Sequence, residues 1–147
     1  MCGIFAILNS SKSLKELSNE EYEKVKVAFE KGSGRGPEFS TLEPINDAHL
    51  FGFHRLAING FNNPTSVQPI KIKNYSLICN GEIYNWKDLH SKMNIKNITG
   101  SDCEIIIHLY DLFGPEYMLN VLDGVFAFVL YDHEKNQICI ARDCFGV

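Results

Sequence analysis

Cys2 stands directly behind Met1, and Gly3, Ile4 and Phe5 follow it. The side chain at position 2 is small enough to allow removal of Met1. Cys2 would then carry a thiol and a free α-amino group on one Cα. Such an amine has a pKa of about 7.7–8.0, so an appreciable fraction is neutral near pH 7. A neutral amine beside a thiol is a built-in general base, the logic of N-terminal Thr nucleophiles. The thiolate is the attacking form. The same five residues also fit a small apolar side chain that opens a strand, and alone they do not decide.

Other residues have chemistry in them and a plainer reading beside it. Of the 14 Lys and Arg residues only three are Arg, at positions 35, 55 and 142. Lys serves wherever a generic positive charge suffices, so these three are candidates for a planar bidentate fork. Asn80-Gly81 reads as a hairpin turn. Asp102 behind a Ser reads as complementation of a helix dipole, and Glu82 as a solvated carboxylate. The five cysteines, at 2, 79, 103, 139 and 144, are odd in number and lack Cys-x-x-Cys spacing, which argues against a disulfide framework and a structural zinc site. Cys103 and His108 could serve as ligands, but no metal is expected. Cys79 and Cys139 lie in apolar runs and read as inert core.

These residues need elements to hold them. Gly3 to Asn9 reads as a buried strand that starts at the nucleophile. Ser18 with Glu21 has capping-box form, and Tyr22, Val25, Ala28 and Phe29 continue as a helix that Gly32 ends. Ser33 to Pro44 reads as loop. Ala48–Phe53 and Leu56–Ile58 read as strands around His54-Arg55, and Gly60 to Pro69 as a long loop. Tyr75–Cys79 is a strand running into the Asn80-Gly81 turn. Asn85 caps a short helix with Trp86, Leu89 and Met93. Ser101 and Glu104 read as a second capping box, opening a helix that Gly114-Pro115 stops. Tyr117 to Leu122 is a further short helix. Val125–Tyr131 and Gln137–Ala141 form the last hairpin. The partial segregation of strands and helices indicates α+β, with helices covering sheets. The apolar runs Ile4–Leu8 and Val125–Tyr131 suggest strands buried on both faces.

Composition narrows the class. With 147 residues, 45% hydrophobic and 22% charged, the chain is expected to form one domain with a real core. A net charge of −4 leaves no basic footprint for nucleic acid. No apolar run is long enough to span a bilayer, and no signal-peptide pattern opens the chain. A reducing, cytoplasmic setting is the expectation.

Taken together, seven stretches resemble the class II, N-terminal-nucleophile glutamine amidotransferases, and among them the glutaminase domain of asparagine synthetases. They are Met1-Cys2-Gly3-Ile4-Phe5, Arg35-Gly36-Pro37, His54-Arg55-Leu56-Ala57-Ile58, Asn80-Gly81-Glu82-Ile83-Tyr84-Asn85, Gly100-Ser101-Asp102-Cys103-Glu104, Asp123-Gly124-Val125-Phe126-Ala127-Phe128, and Ala141-Arg142-Asp143. They come in the family's order from end to end of the chain. Two positions depart: Gly34 stands where the family has His, and Glu38 where it has Asp.

The resemblance implies a four-layer αββα sandwich of the N-terminal-nucleophile hydrolase type. It implies an amidotransferase domain over 1–147 that lacks its last strands, with no synthetase domain in this chain. Catalysis would fall to Cys2, with Asn80 and Gly81 as oxyanion donors. Substrate binding would use Arg55 on the α-carboxylate of glutamine, Leu56 and Ile58 beside it, Asn80 and Gly81, and Glu82 and Asp102 toward the α-ammonium. This half-reaction needs no cofactor; ATP and Mg belong to the synthetase part. The implied partners are L-glutamine and a synthetase domain or subunit that accepts ammonia, and a homodimer stays open. Two other classes remain: a catalytically silent module of the same fold, and a redox protein using Cys139 and Cys144. The glutaminase half of another amidotransferase is a nearer alternative.

Overall fold

The computed structural model describes residues 2–56 and 66–146. Two compact units divide the chain, one over Met1–Ala57 and one over Ile58–Val147.

In the first unit, β1 (Gly3–Ile7), β2 (Phe39–Pro44) and β3 (Leu50–Arg55) form an antiparallel sheet in the order β1-β3-β2. Its register pairs Gly3 with His54, and Phe39 with Arg55. The chain expected to be loop up to Pro44 thus contains a strand. Phe39–Pro44 shows little alternation of burial and ends in Pro, as suits a sheet edge. β1 stops at Ile7 and pairs only with β3, so it is half-buried rather than covered on both faces. Helix α1 (Asn19–Glu30) opens with the expected capping box: Ser18 Oγ accepts from the Glu21 N–H, and the Glu21 carboxylate accepts from the Ser18 N–H. Phe29 is its one buried residue. Its ring stacks on the His54 imidazole at 4.0 Å, and a Cβ on Gly52 would stand 2.7 Å from it. One aromatic side chain therefore docks α1 on the centre of β3.

In the second unit, β4 (Ile70–Ile72), β5 (Tyr75–Ile83), β6 (Gly124–Asp132) and β7 (Gln137–Arg142) form an antiparallel sheet in that order. Three helical stretches accompany it: α2 (Trp86–Met93) and α3 (Glu104–Val121), which Gly114 (φ 79°, ψ 175°) breaks before Pro115. The break is where the sequence places a stop. The core joins Leu77 and Cys79 of β5 and Phe126, Phe128 and Leu130 of β6 to Ile105, Ile106, Ile107 and Leu109 of α3. These strand residues alternate, so one face of the sheet carries the helix.

Two local readings are overturned here. Asn80-Gly81 is no turn: β5 runs through it to Ile83, with Asn80 opposite Ala127 and Gly81 opposite Phe126. Nine residues of cross-strand pairing outweigh the local turn preference. Ser101 does not cap α3 with Glu104 in a box. Cys103 is the N-cap, and the Glu104 carboxylate accepts from the Ile98 and Thr99 N–H groups instead. Among the described residues no helix is long and apolar enough to cross a membrane.

Candidate active site

The end of β1 places Cys2 beside the end of β3. Its Sγ lies 3.3 Å from the Leu56 carbonyl oxygen and 3.4 Å from the Leu56 nitrogen. The Arg35-Gly36-Pro37 segment closes over the same spot. Arg35 Nε donates to the Cys2 carbonyl oxygen at 3.3 Å. Pro37 bridges to Arg55 in parallel, and Glu38 N–H donates to the Arg55 carbonyl at 3.1 Å. Gly36 makes this closeness possible, because a Cβ there would sit 2.2 Å from the His54 carbonyl oxygen. The Arg35 segment, whose departures at Gly34 and Glu38 left its role open, fixes the backbones of Cys2 and Arg55.

His54 belongs to this scaffold. It is buried, donates from Nε2 to the Phe29 carbonyl at 2.9 Å, and takes the Ser40 hydroxyl hydrogen on Nδ1 at 2.7 Å. Both ring nitrogens are engaged, so it locks α1 to the sheet. Arg55 is half-buried and Leu56 is 36% exposed. Ile58 lies outside the described residues.

In the second unit, β5 presents Asn80, Gly81 and Glu82 in succession, all half-buried. The Asn80 Oδ1 atom is buried and finds no hydrogen-bond partner among the described residues. Such a group costs stability. Gly81 has φ +153°, and a Cβ on it would stand 2.1 Å from the Val125 carbonyl oxygen. Only glycine fits there. Asp102 is buried just ahead of α3, and its Oδ2 accepts from the Ile83 N–H at 2.7 Å. This bond ties the Asp102 carboxylate to the end of β5, next in chain to Glu82.

Two supports were not legible in advance. Gln68, buried ahead of β4, donates from Nε2 to the Cys79 carbonyl at 3.0 Å and accepts the Cys79 N–H on Oε1. Its amide thus acts as a one-residue strand partner immediately before Asn80. Asn85, expected as a helix cap, makes no side-chain cap bond. It donates to the Val121 carbonyl at 2.8 Å and accepts from the Asp123 N–H at 3.2 Å, holding the end of α3 against the start of β6. Asp143 is likewise structural, accepting from the Phe126, Phe145 and Gly146 N–H groups. The seven stretches therefore divide into side chains with no structural partner, such as Asn80, and side chains that brace the strands.

The cysteines separate by environment. Cys103 is fully buried, and its hydrogen bond with Cys79, then burial, push its thiol well up. Burial also pushes the Cys139 thiol up. Both stay protonated and inert. Cys2 is half-buried and Cys144 exposed.

Sequence comparison assigns the family. The family model described as "Glutamine amidotransferase domain" matches residues 1–147. The chain is 40% identical over 152 aligned positions to "Asparagine synthetase [glutamine-hydrolyzing]" of Mesocricetus auratus, covering 100% of this chain and 25% of that protein. The Gallus gallus and Homo sapiens proteins of the same name are 39% and 40% identical over the same share. The chain thus spans about a quarter of the length of these relatives. With a match from its first residue to its last, the chain belongs to the glutamine amidotransferase domain family.

Proposed function

We propose that this chain hydrolyses glutamine to glutamate and ammonia through a thioester on Cys2, as the ammonia-supplying half of an asparagine synthetase. Once Met1 is gone, the Cys2 amine takes the thiol proton, directly or through a water. The sulfur attacks the γ-carbonyl carbon of glutamine. The Asn80 amide N–H and the Gly81 backbone N–H stabilise the oxyanion. The proton passes to the leaving nitrogen, the C–N bond breaks and ammonia departs. Water, deprotonated by the same amine, attacks the thioester; glutamate leaves and the Cys2 thiol is restored. Arg55 takes the α-carboxylate with its fork; Leu56 and, outside the described residues, Ile58 complete the substrate-binding residues that the resemblance implies. Glu82 and Asp102 face the α-ammonium.

The observation that carries this reading is the seating of Cys2. Its sulfur meets Leu56, and its backbone is held by Arg35, whose segment also fixes Arg55. The asparagine synthetase relatives support asparagine formation as the use of the ammonia; ATP and Mg would be handled by a synthetase part, not by these residues. The test is glutamate release from glutamine by the purified protein, with Cys2→Ala alongside. Release by the parent and none by the variant is expected. No release by the parent when supplied with its synthetase part would favour the silent-module reading.

A further inference from the structure

His90 of α2 and Glu104 and His108 of α3 converge in the second unit. One ligand atom from each lies within 4.8 Å of the others. His90 is buried, and its Nδ1 donates to the Ile95 carbonyl at 3.0 Å. That bond fixes the tautomer and leaves Nε2 with a lone pair. Nε2 is buried and has no hydrogen-bond partner among the described residues. A buried polar atom without a partner calls for an explanation.

Across from it, Glu104 is fully buried, with 0% exposure. Its two oxygens accept from the Ile98 and Thr99 N–H groups, at 2.6 to 3.0 Å, as a carboxylate does. His108 Nε2 donates to Glu104 Oε1 at 3.1 Å. The two imidazole rings stand edge to face, 5.5 Å between centroids. The cluster holds one full negative charge and one unused lone pair in a dry place.

We propose that His90 Nε2, the Glu104 carboxylate and His108 bind one divalent transition-metal ion of the Zn2+ class. Two imidazoles and a carboxylate suit a cation of borderline softness. Three protein ligands leave a fourth position for water. The ligands also come ready oriented: the Ile95 carbonyl holds His90, and the Ile98 and Thr99 N–H groups hold Glu104. On entry the ion takes the place of the hydrogen between His108 and Glu104; the ring hydrogen moves from Nε2 to Nδ1 by exchange with solvent, so that neutral His108 offers its Nε2 lone pair to the ion. His108 is 12% exposed at its side chain, which gives a route in. The ion would cross-link α2 to α3 and stiffen the turn before Asp102. The sequence pairs His108 with Cys103 as conceivable ligands and does not reveal His90, 18 residues away on another helix; Glu104-x-x-x-His108, which puts two donors on one helix face, is the signal that was available.

The test uses the purified protein, stripped with chelator, in a Cys2→Ala background so that the thiol and amine of Cys2 do not compete. Co2+ and Zn2+ are titrated separately. The expected result is one Co2+ per chain, with visible d–d absorption and no thiolate charge-transfer band, and a raised Tm with either metal. Even the loss of an outer partner of a metal ligand costs about ten- to a hundred-fold in affinity, so His90→Gln and His108→Gln should each weaken binding by at least about ten-fold and abolish the Tm rise. If His90→Gln does not fold, His108→Gln, at the more open position, decides. Equal affinity in the variants, a thiolate band, or no binding by the parent overturns the proposal.

Discussion

The backbone of Leu56 brackets the Cys2 sulfur, its nitrogen at 3.4 Å and its carbonyl oxygen at 3.3 Å. The bracket aims the sulfur. The α-amine of a processed Cys2 is the base proposed to activate it, on the same residue.

Arg55 is tied through its backbone to Pro37 and Glu38. Its side chain is proposed to take the α-carboxylate of glutamine. Arg55→Lys keeps the charge and the backbone ties but loses the paired hydrogen bonds. Charge-assisted bonds contribute about 1.5–3 kcal/mol, so kcat/KM for glutamine should fall about ten- to a hundred-fold with little change in Tm. Unchanged kinetics would make Arg55 a structural residue.

Asn80 and Gly81 are adjacent and should respond in opposite ways. Asn80 Oδ1 has no partner among the described residues, so Asn80→Ala should leave thermal stability nearly intact. As an oxyanion donor its loss should cut kcat by about 10²–10³. Gly81→Ala instead drives a Cβ toward the Val125 carbonyl at a φ of +153°. It should destabilise by more than about 1 kcal/mol, seen in denaturant unfolding before any kinetic effect is read.

Asp102 holds the Ile83 N–H, and substitution can separate that bond from the role proposed for it at the substrate ammonium. Asp102→Asn keeps an acceptor for the Ile83 N–H; Asp102→Ala does not. The unpaired buried N–H should cost Asp102→Ala about 1–3 kcal/mol. Asp102→Asn should fold normally and raise KM for glutamine, because the charge facing the ammonium is gone. Equal KM in parent and Asp102→Asn would leave Asp102 only its structural bond.

These contrasts show what the sequence could disclose. The Ser18–Glu21 box was legible because both partners are three residues apart and exposed. The Gly114 break was legible for the same reason: a local conformation set by local residues. Asn80-Gly81 misled because its conformation is dictated by β6, more than forty residues downstream. Ser101 and Glu104 misled because the Glu104 carboxylate reaches back to Ile98 and Thr99 rather than to Ser101. Edge strand β2 hid because its residues barely alternate. The residues proposed for the chemistry come from the family resemblance. His54 and Asn85 stand in the stretches that carry it, but their bracing bonds, like those of Gln68, go to carbonyls and N–H groups that no side-chain pattern reveals.

Glu104 gives the fold a pH dependence. Its folded pKa lies near 2 against an ordinary 4.5. A depressed carboxylate contributes stability above its unfolded pKa, and that contribution disappears as pH falls from about 4.5 to about 2. The shift corresponds to roughly 3 kcal/mol. Stability of the metal-free protein should therefore fall across this window, and Glu104→Gln should be less stable at neutral pH with a flatter acid limb. An identical acid limb in Glu104→Gln would assign the loss to other carboxylates.

The central claim is a nucleophile at a processed N-terminus. The measurement is intact mass of the purified protein before and after a glutamine-mimicking electrophile, with peptide mapping of the adduct. The account predicts a mass lacking one Met, one adduct per chain, and that adduct on Cys2 rather than on Cys79, Cys103, Cys139 or Cys144. A protein that retains Met1 and still hydrolyses glutamine, or one labelled equally at Cys103 or Cys144, would contradict it.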